Sequence, residues 1–278
     1  MTDLRTSDAW WFLSLAFGLS WGMFALMVMA PGLAGSFGPV GLTHPMFLVA
    51  VWAPAIAAIL LVLLRAGPAG LARFARRLVL WRIGWRWVAL VALGVPACFL
   101  AGAWIKGEPL LSAAAAAGPV ALAGATLAMA PIGPVEEIGW RGVLQPLAQR
   151  RMGPLAAALA VGAVWAVWHL PAFFLSGTPQ SGWALGPFLL GTVALGVIAG
   201  VLLNAGRGSI LWPALFHWQV NGPVWPDAQP WDAPLFAALA VLAVWLSPKA
   251  VAVTRVVPPP AAPAAAIDAD QIARRAPR

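Results

Sequence analysis

The sequence predicts an all-α fold, a polytopic membrane helical bundle of about eight transmembrane helices. Three observations carry this. Hydrophobic residues make up 62% of the 278-residue chain and charged residues only 9%, with a mean hydropathy of +0.85, far from soluble composition. The apolar residues fall in stretches long enough to cross a bilayer core, which takes about 20 helical residues. The basic residues fall in the short connections between them, where orientation is decided.

Taken in order, the stretches run over residues 10–31, 46–64, 87–104, 110–132, 155–175 and 184–205, followed by shorter ones at 209–222 and 234–248. The first is too long for a signal-peptide core and is read as a retained span. Pro131, Gly133 and Pro134 interrupt the fourth, because proline lacks a backbone donor and disfavours helix in the residue before it. Residues 135–151 are then a separate short span, a re-entrant half-helix or a kinked continuation. The tail is rich in Pro and Ala, cannot bury a core and is expected to be disordered. Three regions result: N-terminal transmembrane helices over 1–109, a second transmembrane region over 110–255, and the tail over 256–278.

The net charge of +8 reads as topology and not as nucleic-acid binding. Arg65, Arg73, Arg76, Arg77, Arg82 and Arg86 follow the second span, whereas residues 32–45 after the first carry no charged side chain. Alternation places Arg150, Arg151, Arg207, Lys249 and Arg255 on the same side as these arginines. Lys106, Glu108, Asp227 and Asp232 fall on the other. The arginine side is expected to be cytoplasmic, with both termini there, in a bacterial plasma membrane. Trp10, Trp11, Trp81, Trp85, Trp87 and Trp231 are expected at the membrane interfaces, where an amphipathic ring is favoured. The lone Cys98 excludes an intramolecular disulfide and a cysteine metal cluster.

The chemistry lies between residues 130 and 222. Two of the chain's three glutamates, Glu136 and Glu137, are adjacent in its most apolar half, and Arg141 follows four residues later. Ionisable residues at membrane depth are costly and tend to face a cavity or each other. On a helix beginning near Val135, Glu137 and Arg141 share a face and Glu136 projects about 100° away. The turn Met152-Gly153-Pro154 leads into an alanine-rich helix carrying Trp165 and His169. An antiparallel hairpin about residue 153 brings Glu136 level with His169, roughly 20 to 25 Å from the arginine turn at the helical rise. His217 and Asn221 are one helical turn apart and share a face. His44, in a loop beside Pro45, is read as structural.

A glutamate beside a histidine can take a proton from water, and His and Asn donors can stabilise an oxyanion, so this set suits hydrolysis of a peptide bond. Glu136-Glu137-x-x-x-Arg141, Trp165-x-x-x-His169 and His217-x-x-x-Asn221 resemble, in order and spacing, the three motifs of the CPBP family. That family comprises the CAAX prenyl endopeptidase type II and bacteriocin-processing intramembrane proteases. The resemblance covers about residues 110–225. It implies that Glu136 and His169 activate a water, that His217 and Asn221 hold the oxyanion, and that Glu137 and Arg141 form a supporting ion pair. Trp165 departs from the phenylalanine common at its position in the family.

The resemblance implies a membrane-associated protein or peptide substrate cleaved near the cytoplasmic or mid-membrane level, a lipid bilayer as setting and no nucleic-acid partner. A divalent metal such as zinc stays open, with Glu136, His169 and His217 as its ligands if one is bound; the sequence has no H-E-x-x-H pair. Two other classes compete. Buried Glu, His and Arg also build proton relays, which suits a proton-coupled transporter, although the two halves show no repeat. A catalytically silent membrane scaffold would keep the same fold.

Overall fold

A computed structural model describes residues 4–247, and all described regular structure is helical, with no strand among those residues. The segment 256–278 and the basic residues Lys249 and Arg255 lie outside the described residues. The main helices are α1 (Asp8–Met29), α2 (Pro45–Ala75), α3 (Trp85–Lys106) and α4 (Pro119–Ala128). A composite helix α5 over 134–148 follows, then α6 (Pro154–Trp168), α7 (Leu185–Ala205), α8 (Leu211–Val220) and α9 (Asp232–Trp245).

Five of the apolar stretches form helices, with their flanking turns, long and apolar enough to cross a membrane: α1, α2, α3, α6 and α7. The others are shorter. The expected fourth span, 110–132, breaks into a turn at Ala113–Ala116 and α4, because Gly118 adopts φ +99° and Pro119 restarts the helix. Ten residues in α4 rise about 15 Å, half a bilayer core.

Helices α1 and α2 pair as an antiparallel hairpin, α6 packs on α7, and α7 on α9. The α6–α7 crossing is made by small residues: a Cβ on Gly196 would lie 2.6 Å from Gly162 Cα, so only hydrogen atoms let these backbones meet. One buried cluster joins α3, α7 and α9 through Val95, Ile198, Leu202 and Phe236. A second joins α1, α2, α5 and α6 through Phe12, Leu61, Trp140 and Val161.

Four of the tryptophans expected at interfaces, Trp10, Trp11, Trp81 and Trp85, are more than 60% exposed, and Trp231 is partly so. Trp87 corrects the expectation. It is 2% exposed and packs with Leu90, Val91 and Ile198, because two residues after Trp85 a helix has turned about 200° and faces the core.

The arginine-rich end is also more than a charge signal. Arg65 bonds the buried Asp8 carboxylate at 2.8 Å, and Arg77 donates to the carbonyls of Gly208, at 2.8 Å, and of Gly142, at 2.6 Å. These contacts tie α2 to α1, and the turn that follows α2 to α5 and to the α7–α8 turn. His44 is buried at the start of α2, with Nε2 3.1 Å from the Ala34 carbonyl oxygen, which is a structural role.

Candidate active site

Gly133 opens the site. Its φ of +85° is open to glycine at little cost, and a Cβ there would overlap the Asn221 amide and lie 2.9 Å from His217 Nε2. The sequence marked Gly133-Pro134 as a helix break; the structure adds that this glycine is where the chain passes beneath two site residues. The pair 133–134 was the available signal, since glycine beside a break often marks a close approach.

From Pro134 the backbone starts as a 3₁₀ turn, becomes α-helical at Glu137–Gly139, widens into a π-turn over Trp140–Leu144 and closes as α-helix through Ala148. Such bulges often accompany functional sites. Here the two glutamates diverge. Glu137 and Arg141 are both fully buried, and Arg141 Nη1 donates to Glu137 Oε1 at 3.0 Å. His217 Nδ1 reaches the same carboxylate oxygen at 2.9 Å, and Arg141 Nη2 also lies 3.4 Å from the Gly196 carbonyl. Glu136, 4% exposed, turns to α6, where Trp165 Nε1 donates to its Oε2 at 2.7 Å.

His169 sits where α6 ends. Pro171 cannot continue the helix, and the His169 backbone N–H bonds Ala166 instead of the carbonyl one residue earlier. That carbonyl, of Trp165, accepts from His169 Nδ1 at 2.8 Å. A carbonyl only accepts, so Nδ1 carries the proton and the neutral ring keeps its lone pair on Nε2. His217 turns its Nδ1 to the Glu137 carboxylate at 2.9 Å and its Nε2 toward Gly133.

Trp165 is the hub. Its ring lies 5.0 Å from His217 and 5.6 Å from His169 between centroids, and the Arg141 guanidinium carbon stands 4.8 Å above it. Trp168 and Phe188 pack edge-on to His169 at 4.9 and 5.3 Å. These two rings were not singled out from sequence, because an apolar aromatic on a membrane helix carries no signal of its own.

Glu136, Trp165, His169, His217 and Asn221 all line one cavity of about 570 Å³, within the range of small-molecule and peptide clefts. Glu137 and Arg141 lie behind it and are not in its lining. The sequence-predicted residues are therefore gathered: five at the cavity wall and two supporting them. Among the described residues no group of three His, Cys, Asp or Glu side chains could hold a metal ion. Glu136, His169 and His217 do not come together as a metal-ligand group in this geometry.

Residues 116–222 match the family described as type II CAAX prenyl endopeptidase Rce1-like. A CAAX prenyl protease 2 of Methanococcus maripaludis (strain S2) is 30% identical over 92 residues, covering 31% of this chain. The match spans about a third, 34%, of that relative's length. Every site residue named above lies inside the matched segment.

Proposed function

The chain belongs to the CPBP family through residues 116–222, and from that premise we propose that it is an intramembrane endopeptidase hydrolysing a peptide bond in a membrane-associated substrate. The observation that carries the reading is the shared cavity wall of Glu136 and His169, joined through one tryptophan that binds the first by its indole and the second by its carbonyl.

Trp165 anchors Glu136 Oε2, and Oε1 is the oxygen we assign to the attacking water. As the water oxygen bonds to the substrate carbonyl carbon, its proton passes to Glu136, and His169 Nε2 orients the water through its lone pair. The carbonyl π electrons move to oxygen. The oxyanion accepts from His217 Nε2–H and the Asn221 amide. Collapse of the tetrahedral intermediate breaks the C–N bond, and the leaving nitrogen takes the proton from Glu136.

Purified protein in liposomes, offered a panel of membrane peptides, tests this. Cleavage by the native chain that is abolished in Glu136→Gln supports the assignment. Equal cleavage by both proteins overturns it.

A further inference from the structure

The two ends of the bundle differ sharply in charge. Among the described residues, ten arginines and one carboxylate, Asp8, occupy the end formed by the start of α1, the 65–86 connection and the turns at 149–153 and 206–210. The other end carries Lys106 against Glu108, Asp227 and Asp232. A bias of that size in short connections assigns the arginine end to the cytoplasm.

The cavity belongs to the other end. It runs from Glu136 and His169 to Gln180 and Trp183 in the α6–α7 connection and to Trp225 and Asp227 in the α8–α9 connection. None of its lining residues comes from 65–86, 149–154 or 205–212. On the arginine side the site is closed by packing. Trp140, Arg141, Gln145 and Leu147 are fully buried beneath it, and Arg77 bonds α5 carbonyls across that end. Glu136 stands about 20 Å along α5 from the arginine turn, in the far half of a bilayer core about 30 Å thick.

We infer that the site is fed from the non-cytoplasmic side, and that its substrate is an extracytoplasmic peptide segment tethered beside a membrane span, not a cytoplasmic C-terminus. This moves cleavage away from the cytoplasmic or mid-membrane level expected from sequence. The substrate half rests on the hydrolytic reading; the orientation half does not.

Single-cysteine labelling of the full chain in a Cys98→Ala background tests the orientation. Ser181→Cys, exposed in the cavity-side connection, and Met152→Cys, 41% exposed at the arginine-side turn, are treated with a membrane-impermeant maleimide in sealed spheroplasts and after lysis. Ser181→Cys is expected to label in sealed spheroplasts and Met152→Cys only after lysis. Ser176→Cys serves as a second cavity-side probe should Ser181→Cys fail to insert. Labelling of Met152→Cys in sealed spheroplasts, or of neither cavity-side probe there, overturns the inference.

A second arm uses a randomised peptide segment beside a single span, presented on either side of the membrane. Extracytoplasmic cutting that Glu136→Gln abolishes is the expected result. Cytoplasmic cutting alone overturns the inference and leaves the hydrolytic reading intact. The labelling pattern above with neither reporter cut leaves the orientation standing and sinks the hydrolytic reading.

Discussion

Trp165 Nε1 donates to Glu136 Oε2 at 2.7 Å inside the apolar core of the bundle, so the orientation of one carboxylate depends on a ring nitrogen that phenylalanine lacks. Trp165→Phe keeps an aromatic ring beside His169 and His217 but frees the carboxylate to rotate. A hydrogen bond to a charged group contributes about 1.5 to 3 kcal/mol, so kcat is expected to fall by about one order of magnitude or more. KM should stay within about twofold, because in the proposed mechanism the bond orients the group that activates water and does not hold substrate. Steady-state kinetics with a fluorogenic peptide check this; a change in KM alone would assign Trp165 to substrate binding instead.

Residues acting on one water behave as a unit. Glu136→Ala and His169→Ala are each expected to abolish nearly all turnover, and the double mutant to be hardly worse than either. Rates of the three variants, measured at saturating substrate, decide it. Losses that multiply would mean that the two side chains serve separate steps.

Much of this site was legible before the fold. The doublet at 136–137, the turn at 153 and the four-residue spacings fix a hairpin and two shared faces, and those follow from helical geometry alone. What could not be read has two causes. The π-turn over Trp140–Leu144 and the burial of Trp87 depend on which neighbour packs against each helix face, and an almost uniformly apolar sequence carries no amphipathic signal to say so. The indole bond to Glu136 depends on a ring rotamer at the α5–α6 contact, which spacing does not determine. Glu137 was legible as Arg141's partner through the four-residue interval, while its second partner, His217, lies 80 residues on and needed the tertiary fold.

Arg141 and Glu137 are both 0% exposed, which makes their pairing a condition of folding more than of catalysis. Removing one partner of a buried pair strands a charge and costs about 3 to 5 kcal/mol. Arg141→Gln is therefore expected to be strongly destabilising, with Glu137→Gln/Arg141→Gln less so than the single arginine variant. Thermal unfolding in detergent measures both. A double variant less stable than Arg141→Gln would contradict the stranded-charge account.

Gly133→Ala tests the close approach of Gly133 to the proposed oxyanion donors His217 and Asn221. The added methyl group meets two obstacles: a φ of +85°, where an L side chain costs about 1 to 2 kcal/mol, and the side chains of His217 and Asn221. Gly153→Ala is the control, since its backbone is extended and a Cβ there meets nothing within 4 Å. Gly133→Ala is expected to lose most activity while Gly153→Ala retains it, in the same peptide assay. Full activity in both would show that His217 and Asn221 can move aside.

His217 and Asn221 stand on successive turns at the end of α8, with the imidazole fixed from behind by Glu137 at 2.9 Å and Nε2 turned toward Gly133. In the proposed mechanism these groups are aimed at charge that develops only as the carbonyl carbon becomes tetrahedral. Removing one oxyanion donor typically costs about 10² to 10³ in kcat. Asn221→Ala is expected to show that loss with KM nearly unchanged, and His217→Ala at least as much, because it also takes a partner from the buried Glu137. A non-hydrolysable tetrahedral analogue should discriminate further, binding the native chain more tightly than Asn221→Ala by the same factor that kcat falls, while a ground-state peptide binds both alike. Equal weakening of the analogue and the peptide would place Asn221 in substrate binding and remove it from the oxyanion site.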